Sequence, residues 1–136
     1  MSASLALQKA LRTRLVGTSY VVALVPADAI LDRHQRPAPS PSIILGESHE
    51  VDDGSDLGRH HLRIYHTIHV WLREVSLEGV TTISWAIRSA LRERLDLGLG
   101  FHCADVRIAD TRALRDPDGE TSHGIVTIEA LIEETI

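Results

Sequence analysis

Apolar residues recur four apart near the start of the chain, at Leu7, Leu11 and Leu15 with Ala10 beside them. That spacing predicts an amphipathic helix from about Ser4 to Val16, with Gln8, Lys9, Arg12 and Arg14 on the wet side and Gly17 as its stop. Ser19 to Val25 is short and apolar, enough for one helical turn before Pro26. Ala29 to Asp32 reads as a short edge strand, and His34 to Ser42, with Pro37, Pro39 and Pro41, as an extended connector. Ser42 to Gly46 is a compact apolar strand, and the Asp-, Gly- and His-rich stretch Glu47 to His61 reads as a long mobile hairpin loop.

From Leu62 to Arg73 the pattern changes to strict alternation. Ile64, Ile68, Val70 and Leu72 take one face with His66, while Tyr65, Thr67, His69, Trp71 and Arg73 take the other. Ser76 is an N-cap candidate for a second helix over Leu77 to Leu95, striped by Val80, Ile83, Ile87, Ala90 and Leu91, with Gly98 and Gly100 closing it. Ala104 to Arg112 and Gly124 to Ile132 alternate again, and Asp116-Pro-Asp-Gly119 marks the turn between them. The elements predict an α+β fold: an antiparallel sheet of about four to five strands with two helices packed on one face. Residues 1–136 make one domain by length.

Composition narrows the classes. A hydrophobic content of 43% with 24% charged residues is that of a globular chain, and with few aromatics the core must be aliphatic. The formal charge of −5 argues against a sequence-independent grip on nucleic acid. Cys103 is the lone cysteine, which excludes an intrachain disulfide and a cysteine-based zinc site. No apolar run approaches the ~20 residues that cross a bilayer, and Met1-Ser2-Ala3-Ser4 lacks the features of a signal peptide, so no membrane partner and synthesis in the cytoplasm are expected.

The eight histidines invite a metal reading, with His49, His60 and His61 beside Asp52 or Asp53 as the candidate set. Adjacent or odd-spaced strand residues point to opposite faces and no chelating spacing recurs, so neither metal nor cofactor is expected. Gly98-Leu-Gly-Phe101 matches the carboxylate-binding loop of PDZ domains, but after a long helix it reads as a helix stop. There is no nucleophile elbow, phosphate loop or HExxH motif, and no catalytic residue is assigned.

Two aromatic and arginine groupings remain. At about 3.6 residues per turn Trp85 falls opposite the apolar stripe of its helix, near Arg88 and Arg92. Tyr65, Trp71 and Arg73 share the polar face of their strand. These residue types are enriched in interface cores, and two such patches on different elements suit a head-to-tail ring.

Four segments carry a resemblance: Leu7-Gln-Lys-Ala-Leu-Arg-Thr-Arg-Leu15, Pro41-Ser-Ile-Ile-Leu-Gly-Glu47, Thr67-Ile-His-Val-Trp-Leu-Arg73 and His123-Gly-Ile-Val-Thr-Ile-Glu-Ala-Leu131. In this order the chain, from about Ser4 to Ile132, resembles the phage tail completion family, the small tail terminators of siphophage-like tails and gene transfer agents. The resemblance implies a non-enzymatic virion protein: a hexameric ring on the tail tube that stops its growth and meets the head connector. DNA would pass through without specific binding. The acidic residues Asp52, Asp53 and Asp56 are then candidates to face the channel or a neighbouring ring, with a solvated outer loop as the alternative. Two other functions stay open: a neck or stopper component of the head–tail connector, and a small cytoplasmic His-rich enzyme or metal-binding domain.

Overall fold

The computed structural model describes residues 1–136. Helix α1 (Ala3–Val16) is capped by Ser2, whose hydroxyl accepts from the Leu5 amide at 3.1 Å. The single turn α2 (Ser19–Val22) and a 3-10 turn at Ala27–Ala29 lead to strand β1 (Ile30–Leu31). Then come β2 (Ser42–Asp52), β3 (His61–Arg73), α3 (Glu78–Ala90), β4 (Phe101–Arg115) and β5 (Thr121–Glu134).

The strands form one sheet in the order β1-β2-β3-β5-β4. Antiparallel pairing holds throughout except at β1, which runs parallel to β2 through Ile30↔Ile43 and Leu31↔Ile44. The sheet is therefore mixed, not purely antiparallel as expected. The proline-rich connector returns the chain alongside itself, and a parallel neighbour needs such a crossover.

Both longer helices lie on one face of the sheet, as the pattern predicted. α1 packs on β1 and β2, and α3 on β3, β5 and β4. Leu7, Leu11, Leu15, Ile43, Ile64, Ile68, Val80, Ile87, Val126 and Ile128 belong to one buried aliphatic cluster. At roughly 1.5–3 kcal/mol per fully buried aliphatic side chain, this layer dominates the favourable side of folding.

Several boundaries differ from the pattern. β2 extends well into the expected hairpin loop and β3 takes its last residue, His61, so Glu47 to Asp52 are strand and only residues 53–60 form the loop. That end of β2 is exposed on both faces, so backbone pairing holds it without an apolar signature. Helix α3 starts at Glu78, and its cap is Glu74: the carboxylate accepts from the amides of Gly79 (2.8 Å) and Val80 (3.1 Å). An acidic group at a helix N-terminus also meets the positive end of the dipole. Ser76 plays a supporting part: its hydroxyl accepts from the Glu78 amide at 3.2 Å and donates to the Glu74 carboxylate at 3.3 Å. A Cβ on Gly79 would collide with the Leu72 side chain and the Glu74 carboxylate, so the tight cap needs a glycine there.

The same helix ends at Ala90, not Leu95, and Arg14 reaches across from α1 to bond the carbonyls of Ala90, Glu93 and Arg94. Gly98 and Gly100 take positive φ in the turn entering β4, so they start a strand and do not stop a helix. Asp116-Pro-Asp-Gly119 forms the expected turn, with the Asp116 carbonyl accepting from the Gly119 amide at 3.0 Å.

Candidate assembly surfaces

The helices cover only one face of the sheet, so the alternate residues of β3 and β5 stand on an uncovered outer face. Register sets what meets there: Trp71 opposes His123, and His69 opposes Ile125. The Trp71 and His123 rings stack at 3.8 Å with planes 7° apart, and His69 stacks behind His123 at 5.1 Å. His69 Nδ1 and His123 Nε2 lie 2.8 Å apart, a bond in which one ring donates and the other accepts. Burial and the neighbouring His69 hold the His123 pKa below its ordinary value, which favours its neutral ring. Glu47 stands 3.4 Å from His69 Nε2, and its own backbone amide is the main cause that holds its carboxyl below the usual range. Gly46 leaves room for this row, since a Cβ there would come within 2.8 Å of the His69 ring.

The row of rings forms one wall of a cleft of about 720 Å³. The proline-rich connector, from His34 to Ser40, and the β4–β5 turn, at Asp116 and Asp118, supply the other walls. Arg73 lies in the same cleft, and its backbone amide is fixed to the Ser40 hydroxyl at 2.9 Å. Of the residues singled out on β3, Trp71 and Arg73 thus come together. Tyr65 stays apart, roughly 20 Å along the strand at ~3.3 Å per residue, stacked on His49 at 6.4 Å.

Directly across from Tyr65 on β5, Glu129 is 6% exposed and clamped by Arg63 and by Arg107, the latter at 2.5 Å. Arg63 also bonds Asp53 at 3.0 Å. Its pKa is raised, chiefly by Glu129. Neither this network nor the Trp71–His123 pair was anticipated, because both join β3 to β5, strands separated in sequence by a helix and a third strand. Only the register shows them.

On the opposite side of the subunit Trp85 is 63% exposed. The Arg88 guanidinium lies over its ring, 5.6 Å from the centroid, and Arg92 is exposed further along the chain. Trp85 and Arg88 thus share one surface, with α3 and the sheet between it and the Trp71 cleft, while Arg92 lies beyond the end of α3 at Ala90.

The acidic loop is internally paired. Asp52 accepts from Arg59 at 3.1 Å and caps the Gly54 amide at 2.9 Å. Asp53 is held below the ordinary carboxyl range by the Ser55 hydroxyl and then by Arg63. Asp56 is lowered chiefly by its bond to His60, at 2.8 Å, and also accepts from the Gly58 amide. His60 and His61 are therefore occupied separately: His61 Nδ1 lies 2.9 Å from the Ser55 hydroxyl.

An α+β subunit with unlike, aromatic-rich surfaces on its two sides has the form of an assembly component. The family model for tail completion protein gp17 matches residues 9–133, and the chain belongs to that family. It is a tail completion protein, a structural part of the virion. The fold is similar to a chain in the virion of a native gene transfer agent particle, with 20% identity, a TM-score of 0.79, and coverage of 97% of this chain and 98% of that one. It is also similar to the gp17 protein of bacteriophage SPP1, with 22% identity and a TM-score of 0.60 over 94% of this chain and 89% of that one. Comparison with the curated proteins returned no match.

Proposed function

We propose that copies of this chain close into a ring, hexameric in keeping with the family resemblance, at the end of the tail tube. There the ring ends polymerisation of the tube protein and joins the tail to the head connector. One observation carries the reading: the Trp71 cleft and the Trp85–Arg88 patch are unlike surfaces on opposite sides of one subunit. Unlike surfaces associate head to tail, and such contacts close as rings when the rotation allows. The role is structural and not catalytic, in line with the family. A charge of −5 per copy is consistent with DNA sliding through without specific binding.

Removing the chain from a particle-producing cell tests the function directly. Loss of a terminator leaves overlong tails of uncontrolled length without heads. Tails of normal length that merely fail to join heads would instead assign the chain to the neck or stopper role.

A further inference from the structure

We propose that the cleft beside Trp71 receives Trp85 and Arg88 of the adjacent copy; this inference rests on the ring reading above. The cleft holds about 720 Å³, on the scale of sites that enclose a small organic group. One of its walls is aromatic, formed by Trp71 with His123 stacked at 3.8 Å. Its three carboxylates, Glu47, Asp116 and Asp118, outnumber its two guanidinium groups, Arg36 and Arg73. Glu47 and Asp118 are both held below the ordinary acid range, each first by backbone amide bonds, and so stay charged near neutral pH.

The donor matches in both respects. Trp85 is 63% exposed and carries Arg88 over its ring, so an aromatic surface and a cation enter as one preorganised unit. The chain as a whole is acidic, at −5, and copies repel unless their contact sets opposite charges together. Arg88 entering against Glu47 and Asp116 does so, on the side of the cleft's excess of carboxylates over Arg36 and Arg73. A subunit cannot fill its own cleft, because α3 packs on one face of the sheet and the cleft opens on the other. Met1, Leu57, Val75, Leu99 and Ile136 are strongly exposed too, but none is an aromatic ring that carries a cation over its face.

The test places Arg88→Cys and Asp116→Cys in one chain, loads it onto tail-tube ends and treats them with a short bis-maleimide. The wild type, whose Cys103 is buried, is the control. A covalent ladder rising to the closed ring is expected, with single-substituted chains giving no ladder. Tube ends that carry a full set of copies without cross-links overturn the docking inference and leave the ring standing. Cross-links to a different virion protein overturn it as well. Wild-type ends with only one or two copies overturn the ring itself. If the double-cysteine chain does not load, charge exchange decides: Arg88→Glu should weaken loading at least tenfold, and Asp116→Arg in the same chain should restore much of it. No restoration overturns the inference.

Discussion

The guanidinium of Arg14 donates to the Ala90 carbonyl at 2.8 Å, so the first helix caps the C-terminus of the second long one. The same side chain also holds the carbonyls of Glu93 and Arg94, at 3.1 and 3.0 Å. Three acceptors that would otherwise lack partners are met by one planar donor group. Arg14→Ala should therefore destabilise the fold by about 2 kcal/mol, and Arg14→Lys should recover less than half, because a point charge cannot reproduce the fork. Thermal melting of the purified chain measures both. Equal stability of the lysine variant and the wild type would show that charge alone suffices.

Glu129 should behave as the keystone of the outer face. Its carboxylate joins Arg63 to Arg107, and Glu129→Ala leaves Arg107 with no counter-charge and Arg63 with Asp53 alone. Both arginines are partly exposed, which screens the unmatched charge, so a loss of about 1–3 kcal/mol is expected. Adding Arg107→Ala to Glu129→Ala should recover part of that loss. A double variant that is simply the sum of the two single ones would remove the network from the account.

His66 makes stability depend on pH. Its ring is fully buried and both nitrogens lack hydrogen-bond partners. Burial pushes its pKa down to about 4, from 6.5 in an open chain; Glu47 opposes this weakly and His69 adds to it. Between those values the unfolded chain binds a proton that the folded chain refuses. Stability should therefore be full above pH 6.5 and fall by up to about 3 kcal/mol as pH drops toward 4. His123 is lowered too and adds to the fall in the same window. His66→Leu should flatten most of this dependence, and denaturant midpoints at stepped pH values would show whether it does.

Much of this architecture was legible in the sequence, and the misses share a cause. The four-residue spacing of Leu7, Leu11 and Leu15 and the alternation of Ile64 to Leu72 report burial, and burial is what those elements obey. Exposed strand ends such as Glu47 to Asp52 bury nothing, so only their backbone pairing reveals them. Glu74 lay just beyond the helix pattern and gave way to Ser76, a residue type more often found at caps. The Trp85 surface could be read because helical spacing places Arg88 beside it. The cleft could not, because its walls come from β3, β5, the connector and the last turn, brought together by long-range register.

Trp85→Ala separates an interface anchor from a packing residue. At 63% exposure the side chain contributes little to its own fold, so the melting point should barely move. Association on tube ends should weaken by about 2 kcal/mol, the scale of a central aromatic anchor. A melting point several degrees lower, with association merely following it, would return Trp85 to the core.

The acidic loop gives a prediction about DNA passage. We propose that Asp52, Asp53 and Asp56 face the channel or the neighbouring ring, where negative charge keeps the duplex from adhering. Each carboxylate is already paired, with Arg59, Arg63 and His60 respectively, so the loop presents a held arrangement of charge and not a free acidic tail. Replacing all three with Asn removes the negative charge and leaves the Arg59 and Arg63 cations behind. If the loop lines the channel, particles should assemble normally yet eject DNA more slowly, and the delay should shrink as added salt screens the new attraction. If it meets the neighbouring ring instead, head joining should fall while ejection from joined particles stays normal. Unchanged ejection together with unchanged head joining would place the loop on the outer rim, where its ion pairs serve only to shape the β2–β3 turn.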